Sequence, residues 1–442
     1  MNISKIRLGN IVFLLSLLLN NSYADESLLD IYMLSLESDP EIKQVQIEYD
    51  IARETKKQSL AQLFPTIHIS GDTMDNAQKR SYDVSLFDGK EDYNSHGYSL
   101  RLKQSLFRYE NHISFQQARG RIKQANAELM LAGQALIIRV SERYFNVLAA
   151  QDNLRFFDAE KKAVERQLAQ AKSRLNAGLV AITDVYETQA RLDNTIAQEV
   201  AADNQLANNL ESLREVTNRY HEQLRPLAEF LVLLQPELAD IKAWEELALA
   251  HNLQIISLRH NNFLLKKEID KQKAGRYPTL DLVATYSRSI SGGGNFGRSD
   301  TENRAIGLQL NLPIYLGGAT GSRIREARQQ YNKNLEKIKA TIRSVKSQTR
   351  KHYLGVIASI AQVQSLKQSI VSNKQALKGI EAGYELGMRT TFDVLQANRE
   401  LYRTQRDYQR ARYDYVLNGL RLKQSVGDLS LLDLKKANSW LQ

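Results

Sequence analysis

The chain has 442 residues, a formal net charge of +10 and no cysteine. The lack of cysteine excludes disulfide bonds and thiolate chemistry. Basic residues alternate with acidic ones along helical stretches and do not cluster with base-stacking aromatic residues, so we expect no nucleic-acid partner.

The first 24 residues are predicted to form a secretory signal peptide. Lys5 and Arg7 precede an apolar run from Ile11 to Leu19, and Ser22 and Ala24 provide the small residues before the predicted cleavage site. The apolar run is far shorter than the ~20 residues that a membrane-spanning helix needs. We therefore expect the mature protein to be exported.

The remaining sequence is predicted to be a tandem duplication. The first structural repeat is predicted at residues 25–220 and the second at 241–428. A connector at 221–240 is predicted to join them, and residues 429–442 form a C-terminal tail.

Landmark residues recur in both repeats. Pro65 pairs with Pro278, and Tyr144 pairs with Tyr353. The spacing of the second pair is smaller by about four residues than that of the first pair, and we assign this difference to the loop between the two strands of each repeat.

Each repeat is predicted to begin with a helical segment and to continue with two strands. The helical segments are broken at Asp39-Pro40 in the first repeat and at Asn252-Leu253 in the second. Strand pairs are predicted at about 64–107 and about 277–315, where apolar and polar residues alternate. Within these pairs, the polar and glycine-rich stretches are predicted to be loops, at 75–97 and 289–303.

Long helices are predicted after the strands, at about Ile113 to Asn176 and about Ile324 to Tyr384. Their apolar residues recur at steps of three and four, which is typical of a coiled-coil-like stripe. Sixty-odd residues at a rise of 1.5 Å make roughly 90 to 100 Å of helix. Each long helix is predicted to turn back at a tip, about 177–184 and about 386–393, and so to form a helical hairpin.

The two tips have related sequences, AGLVAITDVYETQARL from residue 177 and LGMRTTFDVLQANREL from residue 386. Gly178 and Gly387 are predicted to let the backbone leave the first helix of each hairpin. Asp184 and Asp393 are predicted to cap the second helix.

These patterns predict a mainly α protein with β-strands that cannot bury its apolar surfaces alone. Four strands cannot close a membrane barrel, because the smallest membrane barrels have eight strands. Two copies would supply eight strands and three copies twelve, and the periodicity does not choose between them. The apolar stripes of the hairpins likewise require neighbouring helices.

Several stretches together resemble the TolC family of outer-membrane efflux and secretion channels. They are GLVAITDV at 178–185, YPTLDL at 277–282, LPIYLGG at 312–318, AGYELGMRTTFDVL at 382–395 and RYDYVLNGLRLKQSVGDL at 412–429. The resemblance implies a homotrimer with a 12-stranded β-barrel in outer-membrane lipid, continued by a long periplasmic α-helical barrel. It further implies an exit duct for small molecules or proteins, in multidrug efflux or type I secretion.

The resemblance also implies partners and gate residues. An inner-membrane transporter and a periplasmic adaptor (membrane fusion protein) would open the periplasmic tip, with the adaptor contacting the turns at Gly178 and Gly387. The closed tip would be latched by the acceptors Thr183 and Asp184 on the first hairpin and by Tyr384 and Arg389 on the second.

The same resemblance places the pore constriction on the second hairpin. The family pattern has two acidic positions there, and this chain has Asp393 at the first and Gln396 at the second. A threefold assembly would therefore carry one carboxylate ring instead of two. We expect multivalent cations to block this closed pore less strongly than they block a two-ring relative.

Two other protein classes compete with the channel interpretation. A non-channel periplasmic coiled-coil adaptor or structural protein would share the long hairpin, but a single hairpin is expected there. An envelope enzyme would need a catalytic constellation, and the sequence offers none. The seven histidines lack metal-ligand spacing, so neither a metal nor a cofactor is expected.

Overall fold

The computed structural model describes residues 25–81, 83, 89–221, 223–294 and 297–442. The predicted signal peptide lies outside the described residues. Within these ranges, no helix is both long enough and apolar enough to cross a membrane. The elements occur in the order α1 (Leu28–Ser38), α2 (Pro40–Ala61), β1 (Thr66–Arg80), β2 (Gly89–Phe107), α3 (Tyr109–Asn176), α4 (Ile182–Thr217), α5 (Ile241–His251), α6 (Leu253–Ala274), β3 (Thr279–Ser291), β4 (Ser299–Asn311), α7 (Ala319–Glu385), α8 (Thr391–Ser425) and α9 (Leu431–Asn438).

The order of elements is the same in both halves of the chain: two helices, two strands and a long hairpin. The predicted helix breaks are confirmed, because Asp39 ends α1 with an extended backbone and Asn252 ends α5 with a ψ of 122°, outside the helical range. Pro40 is the first residue of α2, a position where the missing N–H has no helical partner to lose.

The four strands form one antiparallel sheet in the order β1-β2-β3-β4. The predicted loops at 75–97 and 289–303 are wrong, because the strands continue through most of both stretches. Polar side chains bond across the strands there: the amide of Asn76 donates to the Ser95 hydroxyl at 2.8 Å, and Arg288 pairs with Asp300 at 2.7 Å. A prediction based on the alternation of apolar residues therefore underestimates the length of these strands.

The register places apolar residues on one face of the sheet. Ile67 lies opposite Leu102, which lies opposite Ala284, which lies opposite Ile306. Directly opposed residues of antiparallel strands point to the same side. On the two outer strands these side chains are strongly exposed, with Ile69 at 78% and Ile306 at 77%.

We predicted that the loop between the strands accounts for the difference in landmark spacing between the repeats. The structure places this difference elsewhere. The second strand pair is shorter than the first, spanning 279–311 against 66–107. The linker to the following long helix is longer in the second repeat, 312–318 against residue 108 alone. The shorter strand pair and the longer linker largely offset each other. The spacing between the landmark residues therefore differs only slightly between the repeats.

The chain divides into two compact units, each of which takes segments from both repeats. The first unit comprises Met1–Lys43, Ala132–Asn252 and Val345–Gln442, and the second comprises Gln44–Leu131 and Leu253–Ser344. The sequence repeats are therefore not the compact units, and their bounds remain a proposal.

The core of the first unit is formed where α1, α3, α4, α8 and α9 meet. Its fully buried side chains include Leu28, Ile31, Tyr144, Leu213 and Leu434. Burying one such side chain contributes roughly 1.5 to 3 kcal/mol. The base of the hairpins is thus held by an apolar core.

The duplicated tyrosines bind the backbone of the connector region. The hydroxyl of Tyr144 lies 2.7 Å from the carbonyl oxygen of Arg225, and the hydroxyl of Tyr353 lies 2.6 Å from that of Ala239. Burial raises the pKa of Tyr144 above its usual range. Tyr144 therefore remains a neutral donor, and the hydrogen bonds of both tyrosines tie the hairpins to residues 221–240.

In the second unit, the start of β3 is fixed by a buried carboxylate. Asp281 accepts two hydrogen bonds from Arg108, at 3.1 and 2.8 Å, and pairs with Lys103 at 3.1 Å. Paired charges of this kind can be buried because each one satisfies the other.

Candidate gate at the hairpin tips

Both hairpins reverse through the same backbone turn. Gly178 has a φ of 73° and Gly387 a φ of 74°, a conformation that a side chain disfavours. The N–H of Leu179 donates to the carbonyl of Arg174 at 2.9 Å, and the N–H of Met388 donates to that of Gly383 at 2.8 Å. These are the bonds of a Schellman motif, which satisfies the last carbonyls of a helix.

The start of the second helix differs between the tips. In the second tip, Thr390 is the N-cap and forms a capping box with Asp393: the Thr390 hydroxyl accepts from the Asp393 N–H at 3.2 Å, and the Asp393 carboxylate accepts from the Thr390 N–H at 3.0 Å. In the first tip, Ala181 occupies the N-cap and makes no side-chain bond.

The prediction that Asp184 and Asp393 are the caps is therefore wrong in detail. Both lie three residues inside the N-cap, because the helix begins at Ile182 in the first tip and at Thr391 in the second. Asp393 contributes by bonding back to Thr390. Asp184 has no hydroxyl at Ala181 to bond to.

Neither of the predicted acceptors on the first hairpin is fully buried in this single chain. Thr183 is exposed and Asp184 is half-buried. Among the described residues, neither side chain makes a hydrogen bond or ion pair with Tyr384 or Arg389. The structure therefore does not bring the four predicted latch residues together within one protomer.

Tyr384 is instead held by residues that the sequence did not single out. Its side chain is 6% exposed, and the guanidinium carbon of Arg174 lies 4.3 Å from the ring centroid. The hydroxyl of Thr391 donates to the Tyr384 oxygen at 3.3 Å. Arg174 lies in the last turn of the first helix of the first hairpin, and its distance in sequence from Tyr384 left no local pattern that could predict the contact.

Arg389 and Asp393 give the second tip its charges. Arg389 is exposed, and its aliphatic part lies over Gly383, where an added Cβ would be 2.9 Å from the Arg389 Cγ. Hydrogen bonds from Thr390 and the nearby charge of Arg389 lower the pKa of Asp393. Asp393 is therefore ionised at neutral pH, while Gln396, one helical turn further on, is exposed and uncharged.

A protein-family model described as Outer membrane efflux protein matches residues 31–219 and residues 244–428. The chain belongs to this family. The two matches fall one in each half, which supports the tandem duplication.

Individual relatives are similar to this chain over nearly its whole length. The chain is 33% identical to Outer membrane protein TolC of Vibrio cholerae serotype O1, over 94% of each chain. It is 29% identical to Alkaline protease secretion protein AprF of Pseudomonas aeruginosa, over 92% of this chain and 86% of the relative. Its fold matches the Campylobacter jejuni CmeC outer membrane channel with a TM-score of 0.77 and 16% identity, over 95% of this chain and 91% of the other.

Proposed function

We propose that the protein is an outer-membrane exit duct for efflux and type I secretion, with no catalysis of its own. Membership of the outer membrane efflux protein family over both halves carries this conclusion. The similarity to TolC and to a secretion protein over more than nine tenths of the chain supports it. The sheet lies in the outer membrane, and the long hairpins extend into the periplasm.

The sheet of one protomer supplies four strands to a trimeric barrel of 12 strands. Its outer strands, β1 and β4, have open edges in the single chain, and unpaired edges are rarely left uncovered. The β1 edge of one protomer pairs with the β4 edge of the next. The exposed apolar face, which includes Ile69 and Ile306, then meets lipid.

The hairpin tips close the duct between protomers. Tyr384 and Arg389 on a second hairpin latch onto Thr183 and Asp184 on a first hairpin. The exposure of Arg389 and Thr183 supports this arrangement, since both groups are accessible to a neighbour. Links of this partly exposed kind are weak enough for a docking partner to undo.

The constriction is formed by Asp393, with Gln396 beside it. Threefold repetition places three Asp393 carboxylates around the axis, and the lowered pKa of Asp393 keeps them ionised. Multivalent cations bind this ring and block the closed pore.

A periplasmic adaptor and an inner-membrane transporter open the tip. The turns at Gly178 and Gly387 carry strongly exposed apolar side chains, with Leu179 and Leu386 both at 73% and Met388 at 72% exposure. Exposed apolar patches mark interaction sites. We assign the adaptor contact to these turns.

Membrane fractionation of the native protein tests this function. A duct is expected with the outer membranes as a detergent-stable trimer, and a heat-dissociated sample provides the monomer standard. Recovery of a soluble or inner-membrane-tethered monomer would instead favour a periplasmic rod.

A further inference from the structure

We propose that Arg174 is a positioning residue of the gate, which holds Tyr384 through the face of its ring. This inference rests on the proposed function, because it concerns how the duct is kept closed. It adds to the predicted latch a contact between the two hairpins of a single protomer.

Tyr384 is buried in a region that is otherwise open. Its side chain is 6% exposed, whereas Leu386 and Met388, two and four residues further along, are 73% and 72% exposed. A tyrosine excluded from water at a solvent-exposed tip needs specific cover. Thr391, itself 4% exposed, and Arg174 provide it.

The contact with Arg174 is of the kind that fixes an aromatic ring. The guanidinium carbon lies 4.3 Å from the centroid, within the ~6 Å at which a cation is attracted to the ring face. Arginine stacks well on aromatic rings because its guanidinium is planar and weakly hydrated. Among the ion pairs of the described residues none involves Arg174, so no carboxylate competes for it.

The hydroxyl of Tyr384 remains available while the ring is held. Thr391 donates to the Tyr384 oxygen, which leaves the tyrosine proton free to be donated elsewhere. Arg174 can therefore orient the ring while the hydroxyl serves an acceptor such as Asp184 in a neighbouring hairpin.

The contact also connects three helix ends. Arg174 lies in the last turn of α3, Tyr384 in the last turn of α7, and Thr391 is the first residue of α8. One ring thus ties both helices of the second hairpin to the first hairpin. Removal of the guanidinium loosens the second hairpin and favours the open state.

Single-channel conductance of the full-length trimer in a planar bilayer tests this role. Arg174→Gln is expected to shift the closed-to-open equilibrium toward opening by about fivefold, the effect of one such contact near a surface. Arg174→Lys, which keeps a cation, should recover part of the closed state. The matched control is Lys172→Gln, which removes an exposed charge from the same helix end and should leave the equilibrium unchanged.

A double-mutant comparison separates the ring from the hydroxyl. In a Tyr384→Phe background the ring persists, so Arg174→Gln should still favour opening. In a Tyr384→Leu background the ring is gone, so Arg174→Gln should have no further effect. A merely structural role of Arg174 would produce the same effect in both backgrounds.

The outcomes distinguish this inference from the proposed function. If the wild type conducts and Arg174→Gln behaves like Lys172→Gln, the role of Arg174 is refuted and the duct stands. If no form conducts, the duct itself is refuted. Should Arg174→Gln fail to form trimers, Tyr384→Leu must still open the channel more than Tyr384→Phe, and equal opening would overturn the inference.

Discussion

The two hairpin tips share a backbone but differ in the side chains that stabilise it. Both turn through a glycine at nearly the same φ, with the same pattern of main-chain hydrogen bonds. Only the second tip has a capping box and a buried tyrosine. Duplication has therefore kept the turn and changed its surroundings, and the second tip carries most of the proposed gate.

The largest expected difference between the tips concerns cation block. Asp393→Asn removes the proposed carboxylate ring and should abolish block of the closed pore by multivalent cations. Glu187→Gln, which removes an exposed charge of the first tip that lies outside the proposed latch, should leave the block in place. Gln396→Asp adds a second ring and should strengthen the block. Titration of single-channel current with a multivalent cation measures all three, and an unchanged block in Asp393→Asn would remove Asp393 from the constriction.

Replacing the glycine of the shared turn should destabilise both tips by the same amount. Gly178→Ala and Gly387→Ala each force a side chain into the left-handed region, which costs roughly 1 to 2 kcal/mol. Native-state hydrogen exchange of the tip amides reports the local opening free energy.

A helical glycine provides the control for this pair. Gly379 lies inside α7, and nothing would lie within 4 Å of an added Cβ there. Gly379→Ala should therefore stabilise the helix by about 0.5 to 1 kcal/mol. Unequal losses of local opening free energy in Gly178→Ala and Gly387→Ala would show that the two turns are not energetically equivalent.

Substitutions at the two N-cap residues should change the stability of the tips in opposite directions. Thr390→Ala removes the capping hydroxyl and should destabilise the second tip by about 1 kcal/mol. Ala181→Thr places a hydroxyl three residues before Asp184 and should stabilise the first tip by up to about 1 kcal/mol. The same exchange measurement detects both, and an Ala181→Thr variant no more stable than the wild type would argue against the capping explanation.

The smallest expected effect is a dependence of the stability of the second tip on pH. The pKa of Asp393 is lowered in the folded protein, so its capping contribution is present above the unfolded pKa of about 3.9. The contribution is lost as the pH falls through the lower, folded pKa. Exchange corrected for intrinsic rates should show the second tip loosening below about pH 4, and Asp393→Asn should remove that dependence.

The sequence predicts the features that depend on local backbone chemistry. The helix breaks at Asp39 and Asn252 and the turns at Gly178 and Gly387 follow from residue types whose effects act within a few positions. The ends of the strands were not predicted, because polar residues such as Asn76 continue the sheet through cross-strand hydrogen bonds. Apolar alternation carries no signal for such residues.

The contacts of the candidate gate were predicted only in part. The family resemblance selected Tyr384, but Arg174 and Thr391 were missed because their contacts depend on how the two hairpins pack. The N-cap positions were misassigned by three residues, since an aspartate is as suitable at the third helical position as at the cap. The links between protomers require a neighbour and stay predictions.

We propose that the second hairpin holds a membrane duct closed. The decisive experiment is single-channel conductance of the purified trimer in a planar bilayer, comparing the wild type with Arg389→Ser and Tyr384→Phe. We expect a small conductance in the wild type that rises in both variants. A conductance that is equally large in all three forms would contradict the latch, and no conductance in any form would contradict the duct.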